Sequence, residues 1–267
     1  MKKAAPFLFG DMAAQNAPPL FCRLASFKGA AIMDAQTLAS QLAKAGLDPR
    51  MAAARIDLAD AALQGIIDSA RYAAPHVMAC AVAHTPLLDA ANGNQISELL
   101  AGEHFELLEV ADGWAWGFCA HDHYVGYCRA DSLDEATDPP PQKRTDDPVS
   151  FAKRFIGMDY VWGGRGGAGI DCSGLVQRAM AAIGVSAQRD SDMQCATLGV
   201  ALPDNAALER GDLIFFPGHV GIMVDGEQLL HATRYHQKTV IEPLDSVTAR
   251  VMRKHGTGIV ARKRISL

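Results

Sequence analysis

Cys172 stands in Asp171-Cys-Ser-Gly174, where a glycine-rich stretch hands over to a helical periodicity. Val176, Ala179, Met180 and Ile183 share one face after it, and Gly184 is a natural stop. A helix N-terminus favours negative charge, so a thiol placed there is drawn toward the thiolate, the nucleophilic form of cysteine. An imidazole nearby would favour it further. His219 opens a strand after Pro217-Gly218, and His231 lies twelve residues further on, on the next strand of a hairpin meander. Base and orienting partner would then sit side by side on neighbouring strands, with the thiol facing them from a helix end. An isolated cysteine is more often an inert core residue; the surrounding pattern turns this one toward nucleophilic catalysis.

Two other constellations invite different chemistry. Gly164-Arg-Gly166-Gly-Ala-Gly169 satisfies G-x-G-x-x-G, and Asp190 and Asp192 follow about 20 residues later, as a dinucleotide site would want. The preceding strand is very short, and polar Gln188-Arg-Asp-Ser-Asp-Met193 stands where that fold needs a buried strand ending in an acid. The glycines read instead as a loop lining the cysteine site. Cys119, His121, His123 and Cys128 suggest zinc, yet their spacing fits no standard pair, and both histidines fall near a strand–turn–strand bend. No metal and no cofactor is expected.

The elements that must position Cys172 and the histidines follow from patterning. The chain has 267 residues, a net charge of −5 and 49% hydrophobic residues, of which few are aromatic. That length suggests two domains with real cores, and the charge speaks against a broad nucleic-acid surface. Residues 1–75 read as an extension followed by a helical lead-in, with Leu38, Leu42 and Leu47 as one apolar set and Leu58, Leu63, Ile66 and Ile67 as another. Over 76–134, short apolar runs alternate with Asn92-Gly93, Ala101-Gly102 and Asp112-Gly113, which predicts a small antiparallel β-barrel. Residues 135–147, with Pro139-Pro140-Pro141, form a linker. In 148–267 helices come first, from the Asp147-Pro148 start. Strands follow at Asp212–Phe216, His219–Val224, Gln228–Ala232, Thr239–Ile241 and Gly258–Ala261. The fold class is therefore α+β.

The second half resembles the NlpC/P60 family of papain-like cysteine peptidases. The resemblance rests on Tyr160-Val-Trp-Gly-Gly164, Asp171-Cys-Ser-Gly-Leu-Val-Gln177, Arg189-Asp-Ser-Asp-Met-Gln194, Gly211-Asp-Leu-Ile-Phe-Phe-Pro-Gly-His-Val-Gly-Ile222 and Leu230-His-Ala232, in family order. It implies Cys172 as nucleophile, His219 as general base, His231 as the residue orienting it, and Tyr160 as a hydroxyl helping the Cys172 N–H hold the oxyanion. The barrel resembles a bacterial SH3 domain of the kind attached to such peptidases. The paired resemblance implies hydrolysis of the γ-D-Glu–diamino acid bond in murein peptides with a free N-terminal L-Ala. Asp171 would then face that ammonium, Ser173 and Ser191 would bind the D-Glu end, Tyr124 would reach in from the barrel, and Glu98 would be a second ammonium partner.

Two other readings remain on the same fold: a catalytically inactive wall-peptide-binding module, and an amidase or acyltransferase. Cys172, His219, His231 and Tyr160 together favour the enzyme over the first, and Asp171, Ser173 and Ser191 favour the peptide over the second. The apolar start Met1–Phe9 is interrupted by Asp11 and Asn16, too early for a signal-peptide core. No stretch reaches the roughly 18 apolar residues of a membrane span. With Cys172 assigned to catalysis, five of six cysteines remain, an odd number. These features predict a cytoplasmic protein, with a periplasmic or secreted one as the alternative, and neither membrane nor nucleic acid as partner.

Overall fold

The computed structural model describes residues 34–136 and 145–265. The expected extension over 1–32, Cys22 and most of the expected linker lie outside them. In the lead-in, Asp34 caps α1 (Ala35–Ala45) by accepting from the Thr37 amide at 2.7 Å, and Gly46 closes it in the left-handed region. Leu42 packs with Ala52 and Ile67. The second apolar set does not form a helix. It makes a 3-10 turn (Ala61–Leu63) inside a short parallel pair, β1 (Ala59–Asp60) and β2 (Tyr72–Ala73). Leu58 is drawn instead against Trp116 and Phe118 of the next domain.

That domain is a seven-stranded antiparallel sheet wrapped on one core. Its strands are β3 (His76–Cys80), β4 (His84–Leu88), β5 (Gln95–Leu100), β6 (His104–Ala111), β7 (Trp114–Cys119), β8 (Val125–Arg129) and β9 (Leu133–Glu135). They lie in the order β5-β4-β8-β7-β6-β3-β9. Cys80, Leu87, Leu99, Phe105, Ala115 and Cys119 fill the interior. Residue patterns alone do not reveal β4, which carries Pro86. Its pairing with β8 is confined to Leu88↔Tyr127, so a residue without an N–H is tolerated there.

In the second half, α2 (Pro148–Ala152) and α3 (Cys172–Ala182) precede α4 (Ser191–Thr197) and β10 (Val200–Ala201). The sheet continues with β11 (Leu213–Phe216), β12 (His219–Met223), β13 (Gln228–Thr233) and β14 (Lys238–Pro243), then α5 (Leu244–His255) and β15 (Ala261–Arg264). The strand order is β10-β15-β11-β12-β13-β14. Leu213, Phe215, Val220, Ile222, Leu230 and Ala232 pack against α3, while Ile214, Phe216, Met223 and Leu229 pack against α5. Burial on both faces explains why these strands read as continuous apolar runs rather than alternating ones. Helix α5 is not among the expected elements, although Leu244, Val247 and Val251 repeat at helical spacing and all join that second core.

Candidate active site

Cys172 is the first residue of α3, and its neighbour Asp171 caps the helix by accepting from the Gly174 amide at 2.7 Å. The cap needs glycine around it. A Cβ on Gly174 would lie 2.3 Å from the Gly164 carbonyl oxygen. Gly163, at φ +76°, takes a left-handed turn that aims its N–H at Asp171 Oδ2, 2.8 Å away. The Cys172 sulphur faces the backbone amides of Val220 and Ser173, which favour its thiolate. Burial, and secondarily Asp171, outweigh them and push the thiol up to about 12.

The histidines are aligned by β-sheet register. β12 and β13 pair through Ile222↔Leu230, which sets the start of one strand beside the end of the other. His219 Nε2 then lies 2.7 Å from His231 Nδ1, and His231 Nε2 lies 2.8 Å from Glu242 Oε1 on β14. Arg250 of α5 closes the line with bonds of 2.5 and 3.1 Å to Glu242. Burial lowers His219 to about 3, helped by the charges of His231 and Arg250. Burial lowers His231 too, against the upward pull of the Glu242 bond. Burial alone would raise Glu242, but its bonds from His231 and Arg250 hold the carboxyl well below the usual range. Thiol and imidazoles thus rest neutral, and the negative charge of the line sits on Glu242.

Tyr160 packs against the same core, and its phenol is raised by burial and then by the nearby Cys172 and Asp171. Its N–H donates to Gln237 O in the β13–β14 turn at 2.9 Å. Cys172 and Tyr160 therefore share one core with Val220, the residue after His219, and His219 in turn bonds His231. Asp171 and Ser173 are there as well, but Arg189 already engages both. This guanidinium, 1% exposed, bonds both Asp171 oxygens at 3.0 and 2.7 Å and Ser173 Oγ at 2.9 Å. It also reaches Ser97 Oγ on barrel strand β5 at 3.1 Å. The expected open carboxylate for an ammonium is instead the partner of a buried arginine.

Ser191 opens α4 two residues after Arg189. Tyr124, from the barrel, donates its hydroxyl to Asp190 Oδ2 at 2.8 Å. Arg50 from the lead-in meets Asp48, Asp190 and Asp192, three carboxylates around one guanidinium. Glu98 differs most from expectation. It is 1% exposed, and its carboxylate accepts from the amides of Arg165, Gly167 and Ala168, with His84 Nδ1 2.9 Å away. It clamps the glycine-rich loop to the barrel. Arg165 completes the clamp through Glu103 and the Glu98 carbonyl.

The G-x-G-x-x-G stretch is therefore a loop wedged between barrel and α3. Of the candidate zinc residues, Cys119 and His121 cluster with Asp122, whose carboxylate also accepts from Gln177 Nε2. His123 stacks on Phe118, and Cys128 joins the barrel core. Residue patterns alone do not point to Glu242, Arg250 or Ser97, and they give no role to Arg189. The signal for Arg189 lies inside the Arg189–Gln194 motif; the others carry none until the sheet register and the seam are known.

Residues 157–260 match the model of the NlpC/P60 family, and residues 87–133 match that of the bacterial dipeptidyl-peptidase Sh3 domain. Among curated proteins, the chain is 33% identical over 114 residues to a gamma-D-glutamyl-L-lysine dipeptidyl-peptidase of Bacillus cereus, covering 40% of this chain and 34% of that one. It is 38% identical over 103 residues to the protein of the same name from Bacillus subtilis, covering 35% and 34%. The chain thus spans about a third of the length of these relatives. A solved NlpC/P60 family protein from Bacillus cereus aligns with 71% of this chain and 63% of its own, at 23% identity and a TM-score of 0.40. Residues 157–260, which hold Cys172, His219 and His231, thus match the NlpC/P60 family, and the barrel residues 87–133 match the bacterial SH3 domain of the dipeptidyl-peptidase type.

Proposed function

We propose that this chain is a cysteine peptidase that cuts the γ-D-Glu–diamino acid bond of murein peptides bearing a free N-terminal L-Ala. The observation that carries the reading is the His219–His231 pair, with a thiol at the head of α3 that meets the backbone amide of Val220, the residue after His219. Because the Glu242 carboxylate only accepts, His231 carries its proton on Nε2, and its Nδ1 accepts from His219 Nε2–H. That leaves the His219 Nδ1 lone pair for the thiol proton.

The reaction then runs in two halves. Cys172 Sγ attacks the γ-carbonyl carbon as its proton passes to His219 Nδ1. The oxyanion is held by the Cys172 N–H and the Tyr160 hydroxyl, whose raised pKa keeps it a donor. Collapse breaks the C–N bond, and His219 returns the proton to the leaving amine. Water, deprotonated by His219, then cleaves the thioester and restores the thiol. Ser173 and Ser191 bind the D-Glu end. The excess of carboxylates at Asp48, Asp190 and Asp192, with the Tyr124 hydroxyl on Asp190, supports recognition of an ammonium. An acetylated or glycan-linked alanine would bring no cation to that excess of negative charge, which favours the free amine.

Such a preference suits a recycler of released stem peptides. The free thiols of Cys80, Cys119, Cys128, Cys172 and Cys195 suit a reducing compartment. Paired digests of L-Ala-γ-D-Glu-diaminopimelate and its N-acetyl form test the reading by product analysis. Release of L-Ala-D-Glu from the free form alone is expected. Equal cleavage of both forms removes the amino-end recognition, and intact substrate in both removes the activity.

A further inference from the structure

We propose that Glu242, held by Arg250, is a positioning residue that fixes the tautomer of the His231–His219 pair and so decides which His219 nitrogen meets the thiol. The proposal rests on Cys172 being the activated nucleophile, whatever peptide it attacks. A neutral imidazole can carry its proton on either nitrogen. In a line of two imidazoles, an unanchored end would leave both arrangements open, and in one of them His219 Nδ1 bears the proton and cannot act as a base.

Here the end is anchored. His231 is fully buried, and Glu242 offers an acceptor 2.8 Å from its Nε2. Three cationic or potentially cationic groups face Glu242: His231 from β13, His236 at 3.4 Å from the turn, and Arg250 from α5. Arg250 grips both carboxylate oxygens, and its guanidinium stacks 4.2 Å from the centre of the Tyr235 ring. That fork keeps the carboxylate ionised and aimed along the sheet. The register His231↔Val240, with Glu242 two residues on and on the same face, places the acid beside the imidazole. The same arginine makes the carboxylate a poor proton acceptor, so His231 remains a neutral relay and does not become a trapped imidazolium.

The test reads the thiol directly. Alkylation of Cys172 by iodoacetamide, resolved from Cys195 by peptide mass mapping, is followed against pH in the native protein and in Glu242→Leu/Arg250→Leu. Removing both partners together avoids a stranded charge, although the buried His231 Nε2–H loses its acceptor, so both proteins are compared at a temperature below the lowered melting point of the double variant. At neutral pH it alkylates at least about tenfold more slowly, with its reactivity midpoint moved upward. An unchanged rate and midpoint overturn the proposal. The imidazole 15N spectrum of the native protein provides a second test that needs no variant. His231 protonated at Nε2 and His219 protonated at Nε2 are expected, and either ring protonated at Nδ1 overturns the proposal. If Cys172 in the native protein is no more reactive than Cys195, the nucleophile reading itself falls. Normal, Glu242-dependent alkylation without peptide cleavage overturns only the substrate.

Discussion

Buried polar groups approach Cys172 from two sides, and the two sides are built differently. On the sheet side, half-buried His219 bonds fully buried His231, which bonds Glu242, and the fixed charge lies with Glu242 and Arg250 at the far end. On the barrel side, Arg189 and Arg165 are as deeply buried but are saturated by carboxylates, hydroxyls and carbonyls. In the first set only His219 changes its protonation during the proposed reaction, through Nδ1, while both His231 nitrogens stay engaged. The second must never change, because it sets the loop and the cap of α3 against the barrel. Damage to the sheet side should therefore appear as lost rate, and damage to the barrel side as lost structure.

The largest break in that contrast is Cys172→Ala. Turnover should fall about 10⁴-fold or more with the melting temperature nearly unchanged; residual peptidase activity well above that level assigns the chemistry elsewhere. Next comes Arg189→Met. It strands Asp171 in a buried site, and breaking one partner of such a pair costs about 3–5 kcal/mol. Urea unfolding should report that loss, and a midpoint equal to the native one would mean the seam does not hold the site.

A change of pH separates the two sides without mutation. His219 is lowered from 6.5 to about 3 and His231 is lowered as well. Below 6.5 the unfolded chain takes up protons that the folded one refuses, so stability falls with pH from 6.5 toward 3. Replacing both histidines by Asn should flatten that slope in urea titrations between pH 7 and 5. A slope that persists unaltered places the sensitivity outside the sheet side. Smaller still is Glu98→Gln, which weakens the loop clamp by about 1–3 kcal/mol and loosens it in hydrogen exchange at Gly167 and Ala168. Protection there equal to native would deny the clamp. Smallest is Arg210→Ala at the exposed pair with Asp147, worth about 1 kcal/mol or less by thermal melting; a larger loss would show that surface pairs carry the stability ascribed here to the seam.

How much of this was legible follows the same division. The thiol, the two histidines and their strands could be read because each sits in a short motif with its own local logic: a cap before a helix, a turn before a strand. The α5 helix escaped because its polar face dominates its composition, although its three apolar positions were in view. Glu242 and Arg250 escaped for a different reason. They join the site through the β13–β14 register, and no local pattern distinguishes them from surface charges. Glu98 shows the reverse error: a charge read as a ligand for substrate is consumed by three backbone amides, a loop-to-barrel contact that only the fold brings together.

The most direct test of nucleophilic catalysis by Cys172 is to catch its intermediate. Acid-quenched digests of L-Ala-γ-D-Glu-diaminopimelate with the protein, read by mass spectrometry, should show an L-Ala-D-Glu acyl group in thioester linkage on the Cys172 peptide. Turnover with no acyl adduct, or with the adduct on another residue, would contradict it.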